Sequence, residues 1–203
     1  MHQVNAPVAN ADPAERDLVE KIARGDEEAF ERIVLNYESR LLAFMTKVSG
    51  DPNVAREVAQ EAFVKVFFKA DSFNYRCSFF TWLCEIAVRK FFDWRKQRMR
   101  WLRKHALVDF SARPDQKDSH PGPSENAARH ELAEIVREGI AKLSPDHQTV
   151  IMLREFQNAS YEEIAAAMNC SIGTVESRLF RARRKLKEIL QPVIEKNELQ
   201  NDL

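Results

Sequence analysis

Nine residues near the C-terminal end, 176–184, hold a carboxylate, a hydroxyl, an aromatic ring and four guanidinium groups. They are Glu176, Ser177, Arg178, Phe180, Arg181, Arg183 and Arg184. A guanidinium fork matches phosphate oxygens and the O6/N7 edge of guanine, and a carboxylate can accept from cytosine N4. A second set lies upstream. Phe79, Phe80, Trp82, Phe91, Phe92, Trp94 and Trp101 alternate with Arg89, Lys90, Arg95, Lys96, Arg98, Arg100, Arg103 and Lys104. Rings that stack on bases beside cations that hold phosphates are what single-stranded DNA binding requires. The charge distribution agrees. The chain as a whole is neutral, yet residues 76–104 carry net +7 and residues 174–190 net +4. Two basic patches on an otherwise acidic chain predict two separate contacts with a polyanion.

The elements that position these groups are helices. Ser160 and Glu163 have the spacing of a capping box. Ile164, Ala165 and Met168 give the following segment one apolar face. Asn169 suits a left-handed turn, and Ser171 can cap a second helix. There Val175, Leu179, Ala182, Leu186 and Ile189 form an apolar stripe, which leaves Glu176, Ser177, Phe180, Arg181 and Arg184 on the opposite side. Short helix, tight turn and basic second helix describe a helix-turn-helix, whose second helix lies in the DNA major groove. The competing reading is a surface-charged helix hairpin in a bundle.

Upstream, Asp12-Pro13, Asp26 and Asp51-Pro52 each open a helix, and Gly25 and Gly50 close the first two. The third helix runs to about residue 70 and turns Arg56, Glu57, Gln60, Glu61, Lys65 and Lys69 outward. A fourth spans about 78–103. Its periodicity puts Leu83, Ala87 and Trp94 in the core and Trp82, Arg89, Asp93, Lys96 and Arg100 toward solvent. Most of the remaining rings have a plain reading as core, which does not account for the basic stripe. Residues 105–124 hold Pro114, Pro121, Gly122 and Pro123 without periodicity and read as a linker. Ser124 then caps a helix through Ala127, Leu132, Ile135, Val136 and Ile140, and Ser144-Pro145 starts another with Val150, Ile151 and Leu153. The first dozen residues read as disordered and the last dozen as a fraying tail. The fold class is all-α, two helical domains joined by a flexible linker: 1–12 an N-terminal extension, 13–104 the first domain, 105–124 the linker, 125–191 the second, 192–203 the tail.

Other function classes fit poorly. There are no paired carboxylates at metal-ligand spacing, no Gly-rich phosphate loop and no nucleophile–base set. The five histidines, at positions 2, 105, 120, 130 and 147, fall mostly in or beside linker-like segments. No enzyme, cofactor or metal is expected. Cys77, Cys84 and Cys170 form no CxxC pair and read as free thiols. No signal peptide or membrane-length apolar run is present, so a cytoplasmic protein without membrane insertion is expected.

At this point the chain after about residue 13 resembles the extracytoplasmic-function sigma factors, the minimal two-domain group of the sigma-70 family in bacterial RNA polymerase. The resemblance rests on LSPDHQTVIMLREFQNASYEEIAAAMNCSIGTVESRLFRARRKL (143–186), DPNVAREVAQEAFVKVFF (51–68) and FFTWLCEIAVRKFFDWRKQR (79–98), in that order and spacing. It implies an N-terminal σ2 domain that binds the β′ clamp helices of core RNA polymerase and melts the −10 promoter element. It implies a C-terminal σ4 domain that binds the −35 element and the β flap, and an anti-sigma factor as a further partner. On the matching positions, Arg56, Gln60, Glu61 and Lys65 would meet polymerase. Phe80, Trp82, Arg89, Asp93, Lys96 and Arg100 would meet −10 DNA. Glu176, Ser177, Phe180 and Arg181 would face the −35 duplex, with Arg178, Arg183 and Arg184 on phosphates. Two positions depart from the pattern: Arg89 stands where many members have Asn, and Glu176 where a basic residue is common. The rival reading, a classical helix-turn-helix regulator with an effector-sensing domain, leaves the basic-aromatic fourth helix unexplained and predicts a dimer on palindromic sites.

Overall fold

The computed structural model describes residues 13–105 and 125–201, with side chains over 13–105 and 132–192. Among the described residues all regular structure is helical. In chain order the helices are α1 (Pro13–Ile22), α2 (Glu27–Ser49), α3 (Pro52–Phe67), α4 (Phe79–His105), α5 (Glu125–Ala141), α6 (Pro145–Ile151), α7 (Tyr161–Ala167) and α8 (Ile172–Asn201). A short 3₁₀ turn, Ala70–Ser72, lies between α3 and α4, and α6 runs on into a π-helical turn, Met152–Phe156.

The boundaries have local causes. The Asp26 carboxylate accepts from the Ala29 amide at 2.9 Å and starts α2. Gly50 ends it at φ 79°, in the left-handed region, and donates to the Thr46 carbonyl at 2.8 Å. Asp51 accepts from the Asn53 amide at 2.7 Å, with Pro52 in the first turn of α3. That helix stops at Phe67, short of the expected residue 70, because Lys69 leaves the helical region at φ −125° and the chain tightens into the 3₁₀ turn.

Helix α2 packs on α1, α3 and α4, and α3 packs along α4. In the second half α8 packs on α5, α6 and α7. The helix at the junction is α4. From Phe79 to Val88 every one of its residues is buried, because α2 and α3 cover one side while α6, α7 and the π-helical turn cover the other. The buried side chains of both halves form one contiguous apolar cluster. At Gly139 of α5 an added Cβ would stand 2.9 Å from Leu186 Cδ1 and 3.1 Å from Leu190 Cδ2, so the missing side chain is what lets α8 approach so closely.

Several expectations are revised. His105 closes α4 rather than opening the linker. α8 does not end before residue 192 but continues helical to Asn201 with Pro192 inside it. Proline forfeits one backbone hydrogen bond there, while the following Glu, Lys, Leu and Gln are good helix formers. Leu132, expected on an apolar face, is 52% exposed. The linker, the Asp12 and Ser124 caps and the N-terminal dozen lie outside the described residues. Cys77 and Cys84 are buried free thiols, and Cys170 is half-buried. Burial pushes the Cys77 thiol up to about 12 and that of Cys84 higher still, so neither is a reactive thiolate.

Glu85 is a carboxylate within the buried run, 8% exposed. Burial raises its pKa, and the hydrogen bond from Arg89 only partly opposes this. A carboxyl whose folded pKa lies above its unfolded value, about 4.3, contributes stability that is full below that value and is lost as pH rises through the folded pKa. Ionised Glu85 therefore weighs against the fold at neutral pH. Glu85→Gln, which can still accept from Arg89, should raise the melting temperature near pH 8. That advantage should shrink toward zero at about pH 4. Calorimetry of both proteins across that range checks this; a difference independent of pH would contradict the assignment.

Candidate nucleic-acid interface

The helix-turn-helix is built as its capping residues dictate. Ser160 Oγ accepts from the Glu163 amide at 3.1 Å, and the Ser160 amide donates to Glu163 Oε2 at 3.1 Å. Ile164 and Ala165 are buried, Asn169 turns the chain at φ 49°, and Ser171 Oγ accepts from the Thr174 amide at 3.1 Å to start α8. Val175, Leu179 and Ala182 sink into the core. Helical geometry then leaves Glu176, Phe180, Arg181 and Arg184 on the solvent side, and all four are exposed.

The α8 cations are not equivalent. Arg178 donates to Asp146 Oδ2 at 2.6 Å, and Arg183 to Glu155 Oε1 at 2.6 Å. The pairing with Glu155 holds the Arg183 guanidinium charged. Arg184 lies a loose 3.8 Å from Glu188, both groups being largely exposed. Arg181 is exposed and makes no ion pair among the described residues. Ser177 is half-buried, and its hydroxyl donates back to the Thr174 carbonyl at 3.0 Å. His147 lies nearby. Burial and then the charges of Arg178 and Arg181 lower its pKa, which keeps the ring neutral beside this cationic face.

On α4 the structure divides the expected set. Arg89, Asp93, Lys96 and Arg100 are exposed, as expected. Phe80 and Trp82 are not available to a base in this arrangement. Phe80 is 4% exposed, sandwiched between the Tyr37 ring and the Arg40 guanidinium, which lies 3.7 Å from its centroid. Trp82 is 8% exposed against Phe73, centroids 5.0 Å apart. Periodicity placed Trp82 on a polar side of α4, but that side is covered by the second half of the chain. Arg89 hydrogen-bonds Glu85 and reaches Asp146 Oδ1 at 3.5 Å. Desolvation works against its charge, and the two carboxylates outweigh it.

Two further features mark this region, the first a ring of the aromatic series and the second unforeseen in the sequence. Trp101 is 59% exposed and stacks on His105 at 4.3 Å, the one ring of the α4 series lying beyond the buried core. The loop before α4 carries Tyr75 at φ 57°, a bulky residue in left-handed backbone, gripped by Phe73 at 4.8 Å and by Arg16 at 4.7 Å. Such strain persists only where surrounding structure imposes it. A cleft of about 530 Å³ opens beside this loop. Lys69, Asn74, Trp82, Glu85 and Arg89 line one side, and Ala166, Ala167, Met168 and Asn169 close the other.

On α3, Arg56, Gln60, Glu61 and Lys65 are exposed, as their spacing predicts. Glu61 is committed to Lys90 at 3.2 Å, and neighbouring Glu57 accepts from the Trp94 indole at 3.0 Å. Val64 and Phe68 are 54% and 74% exposed. They continue the line of Gln60 at four-residue spacing, so the outer face is partly apolar. Among the described residues no group of side chains could hold a metal ion, and no helix is long and apolar enough to cross a membrane.

Comparison with known proteins agrees in register with this layout. The family described as Sigma-70 region 2 matches residues 33–101, which contain α3 and most of α4. Sigma-70, region 4 matches residues 133–186, which contain the helix-turn-helix. The RNA polymerase sigma-H factor of Pseudomonas aeruginosa is 34% identical over 196 residues, covering 89% of this chain and 95% of its own. The ECF RNA polymerase sigma-E factor of Escherichia coli is 35% identical over 195 residues, covering 87% and 94%. Among solved structures, CnrH in complex with the cytosolic domain of CnrY superposes with a TM-score of 0.54 at 27% identity, over 89% of this chain and 99% of that one. Full-length similarity to these proteins, carried on the same helices that form the two basic faces, means that the chain belongs to the extracytoplasmic-function sigma factors of the sigma-70 family.

Proposed function

We propose that this protein acts in the cytoplasm as an alternative sigma factor. It binds core RNA polymerase and directs initiation at promoters whose −35 element is read by α8 and whose −10 element is captured by the first half of the chain. In this reading residues 13–104 form the σ2 unit and residues 125–191 the σ4 unit. The observation that carries it is the outer face of α8: a capped recognition helix presenting Glu176, Phe180, Arg181 and Arg184 together, backed by a buried apolar stripe. No catalytic role is assigned to any residue. CnrH, which this chain resembles, occurs in complex with the cytosolic domain of CnrY, and an anti-sigma factor is the partner expected here.

On α8 the division of labour follows from the pairing. Arg181, without an internal carboxylate, is the residue for a bidentate contact to guanine O6 and N7, worth about 1–3 kcal/mol of discrimination. Glu176 accepts from cytosine N4, and Phe180 offers an apolar surface beside it. Arg184, loosely tied, contacts phosphate. Arg178 and Arg183 must first exchange Asp146 and Glu155 for DNA, so their net gain is smaller than their charge suggests. On the first half, Arg89, Asp93, Lys96 and Arg100 track the −10 strand. Polymerase meets α3 through Arg56, Gln60, Lys65 and the exposed apolar pair Val64 and Phe68, and the β′ clamp helices are the expected partner. The β flap falls to the second half.

Transcription of all single-base −35 variants by holoenzyme tests the recognition face. Arg181→Ala should flatten the preference at one position. Arg184→Ala should weaken every promoter alike and lower the salt slope by about one unit. Glu176→Arg should change the preferred base at its position. An unchanged base-preference profile for Arg181→Ala would mean the docking register is wrong.

The polymerase face has its own test. Burying a phenylalanine at an interface is worth about 1.5–3 kcal/mol, so Phe68→Ala should weaken core binding by roughly ten- to a hundredfold while far-UV circular dichroism stays unchanged. Equal competition for core by wild type and variant would remove α3 from the interface.

A further inference from the structure

The two DNA-reading halves are in contact, and the contact consumes groups that DNA would need. Asp146, in the first turn of α6, lies between Arg89 of α4, at 3.5 Å from one carboxylate oxygen, and Arg178 of α8, at 2.6 Å from the other. One carboxylate thus ties a −10 cation to a −35 cation. Around it the seam is specific. Thr81 of α4 is fully buried, and its hydroxyl meets Glu163 at 3.2 Å and the Gln157 amide at 3.1 Å. The turn of the helix-turn-helix closes the cleft beside Trp82. Arg137 of α5 lies across the C-terminus of α2. Its guanidinium stands within 2.7 Å of where a Cβ on Gly50 would be, and its Nε donates to the Lys47 carbonyl at 3.5 Å. A cation there also faces the negative end of the α2 dipole.

This arrangement is incompatible with a promoter. Elements centred near −10 and −35 are about 25 base pairs apart, or roughly 85 Å along B-form DNA at 3.4 Å per pair. Here the two reading surfaces share one carboxylate. The segment from His105 to Glu125 spans about 70 Å at full extension, and the breadth of the two halves at its ends supplies the rest of the distance. Separation and closure are therefore both open to the same covalent chain.

We infer that the closed packing is the resting form of the free protein and that Asp146 is its clasp, a carboxylate held where DNA phosphate would otherwise meet Arg89 and Arg178. The inference rests on the sigma-factor reading for its consequence, but the closed form itself can be measured without polymerase. Only the open fraction of the chain can engage both promoter elements and core, so the apparent affinity falls by that fraction. The ion pairs at Asp146 are partly exposed and individually weak, so the clasp biases an equilibrium rather than locking it. Asp146 and Arg137 belong to neither the DNA-reading set nor the polymerase face, which makes them suitable handles.

The test uses the full chain, wild type and Asp146→Asn/Arg137→Gln, with small-angle X-ray scattering of the free proteins and equilibrium binding to core polymerase. Wild type should scatter as a compact particle. The double variant should show a larger radius of gyration with unchanged helical content, and its apparent Kd for core should be about three- to tenfold lower. Asp146→Lys, which places a third cation between Arg89 and Arg178, should expand the chain at least as far. A wild-type chain that is already extended, or variants as compact as wild type, would overturn the closed form. Expansion without any gain in core affinity would overturn its inhibitory role. Failure of every protein to bind core would instead count against the sigma-factor reading, with the scattering result standing independently.

Discussion

Everything else in this structure depends on the burial of one stretch of helix, the first ten residues of α4. A helix on a protein surface normally shows one apolar stripe; a helix covered all round must satisfy every face. From Phe79 to Val88 no residue is exposed, and the stretch includes a threonine and a glutamate. The threonine is satisfied by Ser78, Glu163 and Gln157. The glutamate is satisfied by Arg89, itself held by Asp146. A buried polar group without partners would cost about 1–3 kcal/mol. Here two of the four direct partners, Glu163 and Gln157, come from the opposite half of the chain. The polar residues of α4 therefore specify which surface may cover it, and not merely that something must.

The same constraint explains which parts of the fold were legible in the sequence. Caps and turns were, because their chemistry is local: Ser160 with Glu163, Asp26, Asp51-Pro52, Gly50 and the left-handed Asn169 all took the roles their types imply. The apolar stripe of α8 was legible too, since Val175, Leu179 and Ala182 meet one continuous core. Trp82 was not. Its helical angle groups it with Arg89 and Lys96, yet it is buried against Phe73 and Phe79, beside a cleft whose far wall comes from about eighty residues further along the chain. Periodicity assigns a face to a helix but cannot say whether a second surface will cover the polar one. Val64 and Phe68 lie on the outward line of Gln60, four and eight residues on, and are exposed despite being apolar.

Charge was legible as a sum and not as a distribution of partners. The basic excess near α4 and α8 is real, but the cations within it differ. Arg183 and Arg178 are each matched by a carboxylate from α6 or the π-helical turn, and Lys90 by one from α3. None of these carboxylates is close in sequence to its cation. An arginine that already holds a carboxylate gives up that contact when it takes a phosphate, so its contribution to binding is a difference between two similar interactions. Arg181 has no such ion pair among the described residues. Its position between paired neighbours is what distinguishes it from the other arginines on the same helix.

The departures from the family pattern gain a physical meaning from these pairings. Arg89, where an asparagine is common, supplies a charge that an amide would lack, and that charge compensates Glu85 inside the core and reaches Asp146 across the seam. An asparagine could hydrogen-bond Glu85 but could not neutralise it, and it is too short to extend to α6. The substitution therefore couples three properties in one side chain: tolerance of a buried carboxylate, a positive charge at the surface and adhesion between the two halves. Because a guanidinium satisfies only a limited set of acceptors at once, these uses compete. Engagement of Arg89 by a phosphate would compete with its contact to Asp146 and so remove one of the two ties that this carboxylate makes between α4 and α8. A single carboxylate shared by two arginines thus makes any anion that takes either arginine a competitor of the packing between the two halves.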